Sequence, residues 1–159
     1  MGTLKAQGTE LYVIDPTTKL ILAVACVQSI DGIGEAWDSI ETTCLEDLVR
    51  SYEPSLRTPG TMTFGISLDT SSTVHARLHE IYEDADLNVN LEFCVGMSDG
   101  TAQPTLDSND DYVLDTSRSW LTFLGFLVDY PFSFSQASLV QPQIPVQISG
   151  GKTYTRKTT

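Results

Sequence analysis

Two histidines, His75 and His79, stand four residues apart, with Glu80 and Glu83 close behind. On a helix that spacing puts both imidazoles on one face, where they could hold a metal ion or exchange protons. HARLH has no glutamate where a zinc hydrolase needs one and no third ligand follows, so a solvated helix face is the better reading. Asp107, Asn109 and Asp111 copy the first half of a calcium loop, but the glycine position is Tyr112 and the twelfth position is Arg118. Gly32-Ile33-Gly34 has neither the third glycine nor the preceding βα unit of a dinucleotide site, and no GxSxG or Walker A motif occurs. Cys26, Cys44 and Cys94 are odd in number and lack CxxC spacing, and read as reduced thiols that behave as small hydrophobes. Catalytic residues, metal ligands and cofactors are therefore expected to be absent, and the chain is not expected to be an enzyme.

A chain of 159 residues suffices for one domain with a substantial core. Its formal charge of −12 and pI near 4.3 argue against a surface that grips nucleic acid or an anionic membrane. No run reaches the ~18 apolar residues of a membrane helix, and MGTLKAQGTE lacks the apolar stretch of a signal peptide. A soluble protein made in the cytoplasm, without membrane insertion, is the expectation. Seven acids fall between Asp31 and Glu53 and ten between Glu80 and Asp115, with Arg50 the one cation inside those spans.

The histidines belong to the most regular stretch, Arg57 to Glu83. Pro59-Gly60 makes a turn, and Thr61 to Leu68 then alternates. Met62, Phe64, Ile66 and Leu68 share one face; Thr61, Thr63, Gly65 and Ser67 share the other. That second face is small and neutral, suited to a wall that stays wet and smooth rather than to a core. Asp69 to Ser72 offers several helix caps. Val74, Leu78, Ile81 and Tyr82 then repeat as one apolar stripe that should pack on a sheet.

Around this stretch, residues 1–9 read as an N-terminal arm, Glu10 to Ile14 as a short strand and Asp15 to Thr18 as a turn. Leu20 to Gln28 is apolar on both faces, like a central strand covered on two sides. Residues 30–60 form an irregular excursion from the compact domain. Leu87 to Val95 alternates again, with Leu87, Val89, Leu91, Phe93 and Val95 inward, and an acidic loop runs from Asp99 to Asp111. Trp120 to Tyr130 reads as a strand, as do Ala137 to Gln141 and Ile144 to Ile148, with Pro142 and Pro145 confining the last segment to an edge or a junction between subunits. Residues 151–159 read as a flexible basic tail carrying Lys152, Arg156 and Lys157. The class is mainly β, α+β by strict count: a β-sandwich or partly open barrel with one flanking helix and a long loop between early strands.

Tyr52, Pro54, Pro59-Gly60, the small-polar strand Thr61 to Leu68, Asp69 and the helix Ser72 to Asp84 together resemble the central segment of major tail tube proteins of long-tailed, lambda-like bacteriophages. The order of elements extends the resemblance over residues 10–150, the tail tube domain. It implies a structural virion protein of the tail, assembled in the host cytoplasm, whose copies form hexameric rings stacked into a hollow tube. Implied partners are the chain itself, a tape measure protein, a tail terminator, baseplate or distal tail proteins, and viral DNA passing through the lumen without tight binding. Lumen-facing positions would be Thr61, Thr63 and Ser67, then Asn88, Asn90 and Glu92. The 30–60 excursion would reach the next ring, with Ile33, Trp37, Ile40, Leu45, Leu48, Tyr52 and Leu56 as its contacts. An acidic or neutral lining suits such a channel, because a basic one would hold duplex DNA by counterion release. Two alternatives stay open: the tube protein of a contractile tail or injection system, and a monomeric lipocalin-like barrel whose Trp120, Phe123 and Phe126 line a ligand pocket.

Overall fold

A computed structural model describes residues 2–158. In chain order its elements are β1 (Glu10–Ile14), β2 (Ile21–Ala23), β3 (Val27–Asp31), β4 (Glu35–Glu41), β5 (Tyr52–Pro59), β6 (Thr61–Ile66), α1 (Thr73–Glu83), β7 (Leu91–Gly96), β8 (Thr105–Leu106), β9 (Tyr112–Val113), β10 (Trp120–Leu127) and β11 (Gln143–Thr155). Seven strands form one antiparallel sheet in the order β2-β1-β7-β10-β11-β6-β3, while β4–β5 and β8–β9 are separate two-stranded ribbons.

β2 and β3 follow each other in the chain yet lie at opposite edges of that sheet. Six inter-strand gaps of ~4.8 Å would hold flat edges ~29 Å apart. The link Val24-Ala25-Cys26 reaches only ~14 Å. The sheet must therefore curl until its edges face each other, giving a half-barrel rather than a sandwich. The apolar run Leu20 to Gln28 is thus two edge strands, not one central strand, broken where Cys26 adopts a left-handed backbone (φ 55°). Its two-sided apolar character still has a local cause: Leu22 packs on the main core and Ile21 on a second cluster behind the sheet.

The concave face carries that main core. Met62, Phe64 and Ile66 of β6 are fully buried with Ile144 and Val146 of β11, Phe93 and Leu91 of β7, and Phe123 and Leu127 of β10. Phe93 and Phe123 stack with ring centroids 5.4 Å apart. Helix α1 lies over this face. Ser72 caps it, its hydroxyl accepting from the His75 N–H (3.4 Å). Leu78 and Ile81 are buried as the stripe predicts, with Val74 and Tyr82 half-buried beside them.

Three other expectations change. β7 begins at Leu91, because Asn90 turns left-handed (φ 48°) and leaves Val89 exposed. Residues 137–141 form no strand, and Ala137 is also left-handed (φ 60°). The last strand continues through the Gly150-Gly151 kink to Thr155, where Trp120 pairs with Thr155 and Leu121 with Tyr154, so most of the expected tail is sheet. β11 also lies between β10 and β6 despite Pro145. The Pro145 carbonyl accepts from the Val128 N–H (2.9 Å), just past the end of β10. In a strand one residue's N and O point the same way, so the missing N–H faces the side where β10 has ended, and β6 loses nothing.

Candidate assembly surfaces

The histidine pair is not a metal site. His75 is buried: its Nδ1 accepts from the Asp69 N–H (3.2 Å) and its Nε2 donates to the Ala25 carbonyl (2.7 Å), which fixes the Nε2–H tautomer. His79 instead packs edge-on to Tyr130 (5.1 Å) and beside Phe132 (5.7 Å). The solvated-face reading therefore fails for His75, which pins the helix to the link between the two sheet edges. One oxygen of the Asp107 carboxylate, Oδ1, accepts from the Asn109 and Asp111 N–H groups (2.8 and 3.1 Å), and no group of acids, histidines or cysteines suited to a metal occurs among the described residues. All three cysteines are free thiols: Cys26 and Cys44 are exposed, whereas Cys94 alone sits in a core as a small hydrophobe would, and burial pushes its thiol up to about 12.

The convex face of the sheet divides in two. One half is covered: Tyr12, Cys94 and Trp120 are buried there beneath Ala102, Tyr112 and Leu114 of the lobe that carries β8 and β9. The other half is open. Register pairs Thr61 with Gln147, Thr63 with Pro145 and Gly65 with Gln143, and continues through Phe126 opposite Gln147 and Leu124 opposite Glu92. Partners across a ladder share a face, so Thr61, Thr63 and Glu92 of the predicted set stand on one wall. Burial, then the Asp111 charge, raises the pKa of Glu92 against the pull of Lys19. Ser67 lies beyond the end of β6, accepting from Gln141 Nε2 (3.4 Å). Asn88 and Asn90 precede β7, and the Asn88 amide exchanges two hydrogen bonds of 2.8 Å with the Leu127 backbone. Gln143, Gln147, Leu124 and Phe126 complete the open wall; they share parity in their strands, a signal that needs register to be read.

The excursion at 30–60 is a β-hairpin arm. Its base closes at a single point, the Gly60 N–H donating to the Gly34 carbonyl (3.0 Å). Glu35, itself nearly buried, takes Arg57 (2.9 Å) and Lys152 of β11 (3.8 Å), so the arm leaves the sheet at the end where Trp120 meets Thr155. Beyond that base the predicted contact residues lie outside the core: Trp37, Ile40, Tyr52 and Leu56 are exposed, and Leu45 and Leu48 at the tip are fully so. Ile33, in the base, is half-buried against the core. Register places Trp37 and Tyr52 on one side of the ribbon and Ile40 and Leu56 on the other, with Arg57 over the Trp37 ring (5.4 Å).

Two polar clasps escaped the sequence reading. Arg118, 1% exposed, donates to the carbonyls of Met97 (2.6 Å), Ala102 (2.7 Å), Gly96 (2.9 Å) and Gly8 (3.2 Å), and to Glu10 (3.0 Å). Gly96 makes room, since a Cβ there would sit 2.6 Å from the guanidinium carbon. Arg77 grips Asp15 through Nε (2.8 Å) and Nη2 (3.1 Å), and these bonds lower the Asp15 carboxyl to about 2.

The curled antiparallel sheet with one flanking helix recurs among solved structures of tails and related particles. Solved structures with this fold include the anti-feeding prophage baseplate, 6-fold symmetrised (TM-score 0.71, 8% identity, 100% of both chains). Others are the tail of the empty gene transfer agent particle, refined with C6 symmetry (0.67, 9%, 96% of this chain and 99% of that one), and the SPP1 tail tube (0.65, 12%, 99% and 81%). The chain belongs to the lambda-like phage tail tube family, whose model matches residues 2–158. It is 44% identical over 153 residues to Structural protein 3 of Pseudomonas phage PAJU2, covering 94% of this chain and 92% of that protein. It is thus a non-enzymatic structural component of a phage tail, and the ligand-carrier alternative falls away.

Proposed function

We propose that copies of this chain join edge to edge into rings of six, that the rings stack through the arms, and that the open wall lines the bore through which DNA leaves the virion. The observation that carries this is the arm. A two-stranded ribbon alone is marginal in water, and this one bears exposed apolar side chains on both sides, with no other element of the sheet packed over them. It is built to be enclosed, with one side against a neighbour in the ring and the other against the next ring. Supporting it, Phe132, Phe134, Leu139, Leu20 and Val89 are exposed at the opposite end of the sheet. Apolar surface at both ends suits head-to-tail contact, the heterologous kind that propagates.

The free edges β2 and β3 supply lateral ladders once a neighbour pairs with them. Sixfold closure is the symmetry imposed on two of the fold neighbours, and is proposed for this chain on that likeness. The wall is mostly uncharged, with Thr61, Thr63, Gln143 and Gln147 around Glu92, so duplex DNA would find no counterion-releasing grip there. Tape measure, terminator and distal tail proteins are the partners such a tube requires.

The test removes the arm cleanly. Deleting residues 35–59 and joining Gly34 to Gly60 spares every core pair, whereas cutting Ile33 to Arg50 would strand β5 without its partner. Wild-type protein should give rings or tubes by light scattering and negative-stain microscopy, and the deletion a folded monomer. Normal tubes from the deletion would sink the proposal.

A further inference from the structure

The chain is strongly acidic, yet cations gather beside the arm's end of the sheet. A cleft of about 580 Å³ there is lined by Leu4, Met97, Tyr154, Arg156 and Lys157 together with one acid, Asp99, and has Lys5 next to Leu4, so cations outnumber acids around it. Leu4 and Tyr154 are 50% and 59% exposed, so the cleft offers apolar surface as well as charge. Lys157 donates to the backbone carbonyl of Asp99 (2.9 Å), and its charge also reaches the Asp99 carboxylate, which Ser119 already engages through its N–H (3.0 Å) and hydroxyl (2.5 Å). Among the described residues Arg156 and Lys5 have no side-chain partner.

The arm's tip has the complementary make-up. Cys44 to Val49 reads CLEDLV: Leu45 and Leu48 stand free in solvent beside Glu46 and Asp47, and Glu53 follows just behind. Arg50, the one cation at the tip, lies 3.8 Å from Glu41. We propose that the acidic, leucine-bearing tip of one copy seats in this basic cleft of a neighbouring copy. The inference rests on the tube reading and names a partner surface for the arm. Arm and cleft share one end of the sheet, so a tip laid across a neighbour in the ring meets the cleft at its own level. The arm's remaining side is left for the next ring. Opposite charges choose the register and the leucines supply burial, the usual division between rim and anchor.

The experiment is a charge exchange on the full chain, following tube formation against concentration. Glu46→Lys with Glu53→Lys, and separately Lys5→Glu with Arg156→Glu, should each raise the concentration needed for tubes by roughly tenfold or more. All four changes together should bring it back to within a few-fold of wild type. As a second readout, the chain carrying Cys26→Ser and Tyr154→Cys should form disulfide-linked chains of copies through Cys44 when tubes are oxidised. Wild-type tubes with no effect from either double variant, a combination as defective as its parts, or Cys44 bonding only within its own chain overturns the docking and leaves the tube reading standing. Wild-type protein that forms no tubes overturns both.

Discussion

Strands β5 and β6 are separated only by Gly60, yet they solve opposite problems. β6 turns Met62, Phe64 and Ile66 into the core at 0% exposure, while β5 leaves Tyr52 and Leu56 at 55% and 79%. Both are rich in large side chains, so composition does not separate them; the partner does. β6 lies between β3 and β11 with a helix above it, and β5 has only β4. Burial of the first kind belongs to the monomer. Burial of the second kind, on the proposed function, waits for the particle.

Unfolding measurements on the monomer should break that contrast if it is wrong. Phe64→Ala, in the densest part of the core, should cost ~3–5 kcal/mol, read from denaturant midpoints. Arg118→Ala should follow at about 3 kcal/mol, because the buried Gly96 carbonyl and the half-buried Met97 carbonyl lose their donor. Asp15→Asn should cost about 2 kcal/mol at neutral pH, since Arg77 holds that carboxyl near 2 rather than 3.8. The sign follows from a lowered folded-state value: the stabilisation is whole above pH 3.8 and drains away as pH falls toward 2. The wild-type advantage over Asp15→Asn should therefore vanish in acid and persist in mild alkali. Leu45→Ser with Leu48→Ser should come last, within ~0.5 kcal/mol of wild type, while abolishing tubes in microscopy. A large stability loss from that pair would mean that the arm already packs on its own chain.

The core side of β6 and the helix stripe were legible because alternation and the helical repeat record which face is dry. Val74, Leu78, Ile81 and Tyr82 needed no partner to be read. The open wall was only half legible: Thr61 and Thr63 announce a small polar face, but Gln147, Phe126 and Leu124 join it through register, which pairs residues far apart in sequence. Asn88 misled because strand periodicity continues through it, and only the left-handed turn at Asn90 shows that the strand has not begun. Arg118 was invisible for a different reason. Its partners are mostly backbone carbonyls, which every residue has and no sequence displays.

Val24-Ala25-Cys26 ties the first free edge of the sheet to the second, and His75 clamps its middle by one 2.7 Å bond. The curl of the sheet is consequently held by a tether three residues long. If copies close into the proposed ring, the circumference depends on that curl. Lengthening the tether by a glycine, or freeing its clamp, is then the smallest edit expected to change how many copies fill the circle.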